Sequence, residues 1–97
     1  MREFLGNPIT DENYEVFELI PITVQKNSCG EWKASFKEGR ITAYDEVRRL
    51  AILTLFKMLL ENYDFLSTGD EKELSYYWRK KLKILAQHIR QRAQAGR

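Results

Sequence analysis

The sequence predicts an α+β fold, an antiparallel β-hairpin followed by two long α-helices, in one small domain that covers residues 1–97. Two observations predict this order. Hydrophobic residues alternate with period two over 14–37, on either side of a short turn, whereas they recur every three or four residues over 42–63 and again over 69–93. With 43% hydrophobic and 31% charged residues, the composition is typical of a chain that folds and stays in solution.

The first third of the chain is predicted to be an arm followed by the hairpin. Turn formers such as Gly6, Asn7 and Pro8 indicate a flexible arm over 1–13. One face of the first strand is apolar at period two: Val16, Ile20, Ile22 and Val24. After a turn at 26–30, the second strand also places an apolar set on one side: Trp32, Ala34 and Phe36. Because Pro21 cannot donate a ladder hydrogen bond, it predicts an edge or a bulge in the first strand.

The central helix is predicted over 42–63. Thr42 is placed to cap it, and Asp45 and Glu46 in its first turn would favour the positive end of the helix dipole. Over 51–60 this helix is apolar on nearly every side, which leaves Phe56 and Leu60 in an apolar patch. Two explanations stay open. Either the hairpin or the arm covers the patch, or a second copy covers it in a homodimer.

The last helix is predicted over 69–93, with Thr68 and Glu71 spaced as a capping box. Its apolar face includes Trp78, which is therefore predicted to lie in the core. On the opposite face Arg79, Lys83, Gln87 and Arg90 recur three or four residues apart, and Lys80 flanks this basic stripe. Two further aromatic residues, Tyr76 and Tyr77, adjoin this basic stripe.

Charge is segregated along the chain. All fourteen carboxylates lie between Glu3 and Glu73, whereas residues 77–97 contain seven of the sixteen Lys and Arg residues and no acid. This asymmetry indicates that the basic end meets something anionic. Four candidates follow, namely a nucleic acid, a membrane surface, a protein partner and the acidic half of the same chain.

Catalysis and membrane insertion have little basis in the sequence. Cys29 is the only thiol, His88 is the only imidazole, and no glycine-rich phosphate loop is present. We therefore expect no enzymatic activity, no metal and no cofactor. The longest apolar run, 50–60, has about half of the roughly 20 residues that cross a bilayer. A single cysteine and the lack of a signal-peptide pattern predict a cytoplasmic protein.

The sequence thus predicts a small regulatory or accessory protein that acts by binding a protein partner with an acidic surface. Its predicted contacts are cations and apolar anchors: Arg79, Lys80, Lys83, Arg90, Phe56 and Leu60. The alternative is a nucleic-acid-binding protein that uses the same basic helix, because cations neutralise phosphates and exposed rings stack on bases. The ordinary explanation also stands, since cations near the carboxyl end of a helix favour its dipole and most charged faces are simply solvated.

Overall fold

The computed structural model describes residues 2–7, 13–69 and 75–91. Their elements follow the order β1 (Arg2–Leu5), β2 (Tyr14–Val16), β3 (Ile20–Lys26), β4 (Trp32–Phe36), β5 (Ile41–Asp45), α1 (Arg48–Thr68), α2 (Tyr76–Ala86) and β6 (Ile89–Gln91). An antiparallel sheet has the strand order β1-β3-β4-β5, and β2 pairs with β6 in a second, two-stranded sheet. The α+β class is confirmed, but five strands rather than two precede the first helix.

The predicted hairpin is present as β3 and β4. Asn27 closes its turn, because the Asn27 side-chain oxygen accepts hydrogen bonds from the backbone N–H groups of Cys29, at 3.0 Å, and Glu31, at 2.9 Å. Gly30 takes a positive φ of 85° in this turn. The predicted apolar face of β3 is buried at Ile20, Ile22 and Val24. Pro21 pairs with Phe4 of β1, and the ladder with β4 starts two residues later, at Thr23.

The amino-terminal arm contains a strand. Residues 2–5 form β1 along the free side of β3, and Leu5 is buried in the core. Residues 8–12 lie outside the described residues. The first predicted strand is also divided, because Tyr14–Val16 belongs to the second sheet and Ile20–Lys26 to the first.

The central helix begins at Arg48 and not at Thr42, because residues 41–45 form β5. Ile41 and Ala43 turn inward and are buried, and Thr42 donates a hydrogen bond from its hydroxyl to Ser35 of β4 at 3.2 Å. Asp45 accepts the backbone N–H of Val47 at 2.9 Å just before the helix. Strand pairing with β4 therefore overrides the capping signal at Thr42.

Helix α1 packs on β4 and β5 and fills the core between them and α2. Its buried residues recur at helical spacing: Ala51, Leu55, Phe56, Leu59, Leu60 and Leu66. Ser67 and Thr68 donate hydrogen bonds to the backbone oxygen of Asp64 at the end of the helix. Leu85 and Ile89 complete the same core from the carboxyl-terminal segment.

The last helix is shorter than the predicted 69–93. It spans Tyr76–Ala86, with Ser75 as its N-cap accepting from the backbone N–H of Trp78 at 3.4 Å. Thr68 belongs to α1, and Glu71 of the expected capping box lies outside the described residues. The chain then leaves the helical path at 87–88 and enters β6. The carbonyl of His88 accepts hydrogen bonds from the backbone N–H groups of Phe17 and Glu18, which joins β6 to β2.

Candidate functional site

The outer surface of α2 carries three of the predicted contact residues. Arg79, Lys80 and Lys83 are all exposed on this helix. Leu85 is its buried residue, while Leu82 and Ile84 pack partly against the core. Among residues 2–7, 13–69 and 75–91, no carboxylate forms an ion pair with any of these three cations. Within the part of the chain that the structure describes, no ion pair offsets these three charges.

Arg90 is not on α2, although the helical spacing predicted that it would extend the basic face of that helix. It lies on β6, opposite Glu15 of β2. Its Nε donates to Glu15 Oε1 at 2.8 Å, and its guanidinium lies 5.1 Å from the ring centroid of Phe17. Glu15 therefore partly neutralises Arg90, and the pair joins the two strands of the second sheet.

Phe56 and Leu60 are core residues and not surface anchors. Phe56 is 0% exposed and Leu60 is 8% exposed, because the sheet and α2 cover this side of α1. The covering elements belong to the same chain. The apolar patch that suggested a homodimer is thus absent at these two residues, and a partner cannot reach them without displacing the core.

Three consecutive aromatic residues begin α2 and are all exposed. Tyr76 is 76% exposed, Tyr77 45% and Trp78 41%, so Trp78 is not the core residue that its position on the apolar stripe predicted. The Tyr77 and Trp78 rings meet edge to face with centroids 5.1 Å apart, and Lys81 Nζ lies 5.3 Å from the Trp78 ring centroid. Tyr76 presents the most accessible ring of the three.

A cavity of about 320 Å³ opens between one side of α2 and the turn at 37–40 that joins β4 to β5. Its lining is Lys37, Glu38, Gly39, Arg40, Tyr77, Lys80, Lys81 and Ile84. Sequence reasoning found Lys80 but missed the contribution of Lys37 and Arg40, because some forty residues separate them from α2 along the chain. The positive φ of Arg40, 55°, is the local feature of this turn that stands out.

The two residues considered for catalysis, Cys29 and His88, do not line this cavity. Cys29 is a free, exposed thiol in the turn between β3 and β4. His88 is buried, with its ring edge to face on Phe36 and its Nδ1 3.3 Å from the backbone oxygen of Glu18. Within the described ranges, no three His, Cys, Asp or Glu side chains are grouped so as to hold a metal ion.

Comparison with known proteins yields no relative, since no family model, no curated protein and no solved structure matches this chain. Neither of the two helices in the described residues is long and apolar enough to cross a membrane. The function must therefore be argued from the α2 surface itself.

Proposed function

We propose that this chain is a non-enzymatic binding protein whose ligand is a nucleic acid with unpaired bases, held on the outer surface of α2. One observation carries the proposal. Three exposed aromatic rings share an eleven-residue helix with Arg79, Lys80 and Lys83, three exposed cations that have no ion-pair partner in the described part of the chain, and no carboxylate occurs on this helix.

The chemistry of both groups suits a single strand. Cations next to a phosphate backbone release condensed counterions, which supplies most of the affinity of non-specific binding. An exposed ring such as Tyr76 can stack on an unpaired base, and every base offers a face for this contact. Interleaving the two kinds of residue lets one helix hold the backbone and the bases of the same strand.

The residue types favour this ligand over the protein partner that the sequence placed first. Lysine is depleted at protein interfaces, whose centres are apolar and poor in charge. The two apolar residues expected to form such a centre, Phe56 and Leu60, lie in the core. A surface rich in lysine with no apolar centre of aliphatic residues is better matched to phosphate groups.

A protein partner with an acidic surface is the second candidate. Its support is the aromatic group itself, because Tyr and Trp are enriched among the residues that dominate binding energy at protein interfaces. In this version Tyr76, Tyr77 and Trp78 replace Phe56 and Leu60 as anchors, and the protein acts as a regulatory or accessory subunit. A homodimer and a cytoplasmic location also stay proposals, the latter because an exposed, unpaired Cys29 suits a reducing compartment.

The test is fluorescence anisotropy with a labelled oligothymidylate over a range of salt concentrations. The logarithm of the binding constant should fall linearly with the logarithm of salt, with a slope of about −0.7 for each phosphate contact. Arg79→Glu/Lys83→Glu should make that slope shallower by about 1.4 and weaken binding about 25-fold at 0.1 M salt.

The matched control is Arg49→Glu/Lys57→Glu, which makes the same charge change at two exposed positions of α1. It should leave the affinity within about threefold of the unaltered protein, since only the general field is reduced. Equal losses in both variants would show that net charge alone drives binding. No binding at low salt would refute the nucleic-acid proposal and leave the protein partner.

A further inference from the structure

The cavity between α2 and the 37–40 turn collects positive charge from two separate parts of the chain. Lys37 and Arg40 come from the turn, while Lys80 and Lys81 come from α2. Among the described residues of the lining, Glu38 is the one carboxylate beside these four cations, so positive charge prevails there. Within the described residues none of these four cations has an ion-pair partner. Like charges brought together in a concave site repel one another unless an anion occupies it.

The backbone conformation of Arg40 is a second indication that this cavity is a binding site. Arg40 has a φ of 55°, in the left-handed region that glycine and asparagine adopt more readily than arginine does. The preceding residue must be glycine for a different reason, because a Cβ at Gly39 would lie 2.8 Å from two ring carbons of Phe36. The turn thus accepts a strained conformation at the residue whose side chain lines the cavity, and such strain is common at binding sites.

We propose that this cavity binds a phosphate group, and that in the proposed function it holds one backbone phosphate of the bound strand. Cations converging from two sides match the several oxygens of a phosphate better than the two of a carboxylate. The volume of about 320 Å³ lies at the lower end of small-ligand sites, which leaves room for the sugar attached to the phosphate. Tyr77 and Ile84 provide an apolar wall beside it.

That the phosphate belongs to a nucleic-acid strand rests on the proposed function. That the cavity binds a phosphate group does not. A free phosphorylated molecule, such as a mononucleotide, presents the same group to Lys37, Arg40, Lys80 and Lys81. The experiment therefore uses inorganic phosphate, thymidine 5′-monophosphate, thymidine and an oligothymidylate as separate probes.

The measurement is a titration of the ¹⁵N-labelled full chain, followed by amide chemical shifts at constant ionic strength. Phosphate and thymidine 5′-monophosphate should cause saturable shifts at residues 37–40 and 80–84, and thymidine should not. Lys37→Gln/Arg40→Asn should weaken this binding at least tenfold. Asparagine is chosen because it tolerates the positive φ of residue 40, and Lys80→Gln tests the opposite wall if the double variant does not fold.

Arg49→Gln/Lys57→Gln is the matched control, since it removes two exposed cations of α1 and should leave both saturable shifts unchanged. Shifts that never saturate, that appear equally around Arg49 and Lys57, or that persist in Lys37→Gln/Arg40→Asn would overturn the phosphate site.

The oligothymidylate separates failure of the site from failure of the proposed function. Loss of one phosphate contact in Lys37→Gln/Arg40→Asn should weaken its binding about fivefold at 0.1 M salt. If the oligothymidylate binds to α2 but this variant binds it equally well and phosphate does not map to the cavity, the site is refuted and the proposed function stands. If phosphate and the mononucleotide saturate the cavity but the oligothymidylate does not bind, the nucleic-acid function is refuted and a free phosphorylated ligand remains.

Discussion

The two helices of this chain differ in what their side chains face. Helix α1 places six residues in the core, among them Phe56 and Leu59 at 0% exposure. Helix α2 buries Leu85 and leaves Tyr76, Tyr77 and Trp78 on the surface beside its cations. The sequence predicted the opposite for Trp78, and for Phe56 it left open whether its own chain or a second copy covers the ring. Substitutions at the buried residues of α1 should therefore change stability, and substitutions at the exposed residues of α2 are expected to change binding in the proposed function.

The difference follows from where each helix sits. Helix α1 packs on β4 and β5 and contacts α2, so several sides of its apolar stretch are covered by its own chain. Helix α2 contacts α1 and β6 and lies at the margin of the core. The side of α1 that contains Phe56 and Leu60 is therefore covered by its own chain, whereas the three consecutive rings at the start of α2 are exposed.

The largest expected effect is a loss of stability on substitution of a buried residue of α1. Phe56→Ala should lower the free energy of unfolding by about 3 to 5 kcal/mol, because it leaves a cavity under β4 and β5. Phe65→Ala removes the same ring from a position that is 72% exposed and should cost less than about 0.5 kcal/mol. Urea unfolding of both variants measures the difference. Similar losses would mean that α1 is not buried as described.

A smaller loss of stability is expected at the turn that supports the cavity. In Gly39→Ala the new Cβ would lie 2.8 Å from two carbons of the buried Phe36 ring, so the ring or the turn must shift. We expect a loss of about 1 to 3 kcal/mol in urea unfolding. Gly69→Ala is the control, since the nearest atom to its Cβ would be the Phe65 carbonyl oxygen at 3.7 Å. Equal stability of both variants would contradict the close contact with Phe36.

On the binding side, Tyr76→Ala should weaken oligothymidylate binding through loss of a stacked base. Such a contact is worth about 1 to 3 kcal/mol, which corresponds to roughly a 5-fold to 150-fold loss of affinity. Tyr44→Ala removes another exposed tyrosine ring, 53% exposed against 76% for Tyr76, from β5, and this variant should bind normally. Anisotropy titrations at one salt concentration compare the two variants. A loss of affinity in Tyr44→Ala alone would move the interface from α2 to the sheet.

The smallest effect is expected at Arg90. Arg90→Gln should change oligothymidylate affinity by less than about twofold, because Glu15 already offsets this charge. A double-mutant cycle with Glu15→Gln should give a coupling of about 0.2 to 1 kcal/mol in urea unfolding, as is usual for an exposed ion pair. If Arg90→Gln weakened oligothymidylate binding as much as Lys83→Gln, Arg90 would have to be counted among the contact residues.

The features that could be predicted from the sequence are those that depend on residues close together along the chain. The alternation of Ile20, Ile22 and Val24 and the turn at Asn27 and Gly30 are local signals, and the structure bears them out. The start of α1 was misplaced because threonine followed by acidic residues marks a helix start, while pairing with β4 makes the same residues a strand. In such conflicts the longer-range contacts prevailed over local propensity.

The errors at the site have the same cause. Ile89–Gln91 continues the helical spacing of α2, yet its pairing with Tyr14–Val16, some 75 residues earlier, makes it a strand and removes Arg90 from the basic helix. The cavity combines Lys37 and Arg40 with Lys80 and Lys81, and no periodicity relates those two segments. That Arg79, Lys80 and Lys83 lie together on one exposed helix could be predicted from their spacing, and their role in binding stays a proposal.

The pairing of β2 with β6 also bears on the order in which the molecule is assembled during translation. Residues 14–16 leave the ribosome about 75 residues before their partners at 89–91, and closing a segment of this length slows folding. The sheet and α1 can form meanwhile from segments close together in the chain. The far end of α2, which runs into β6, is therefore fixed to β2 only after the sheet and α1 have had time to form.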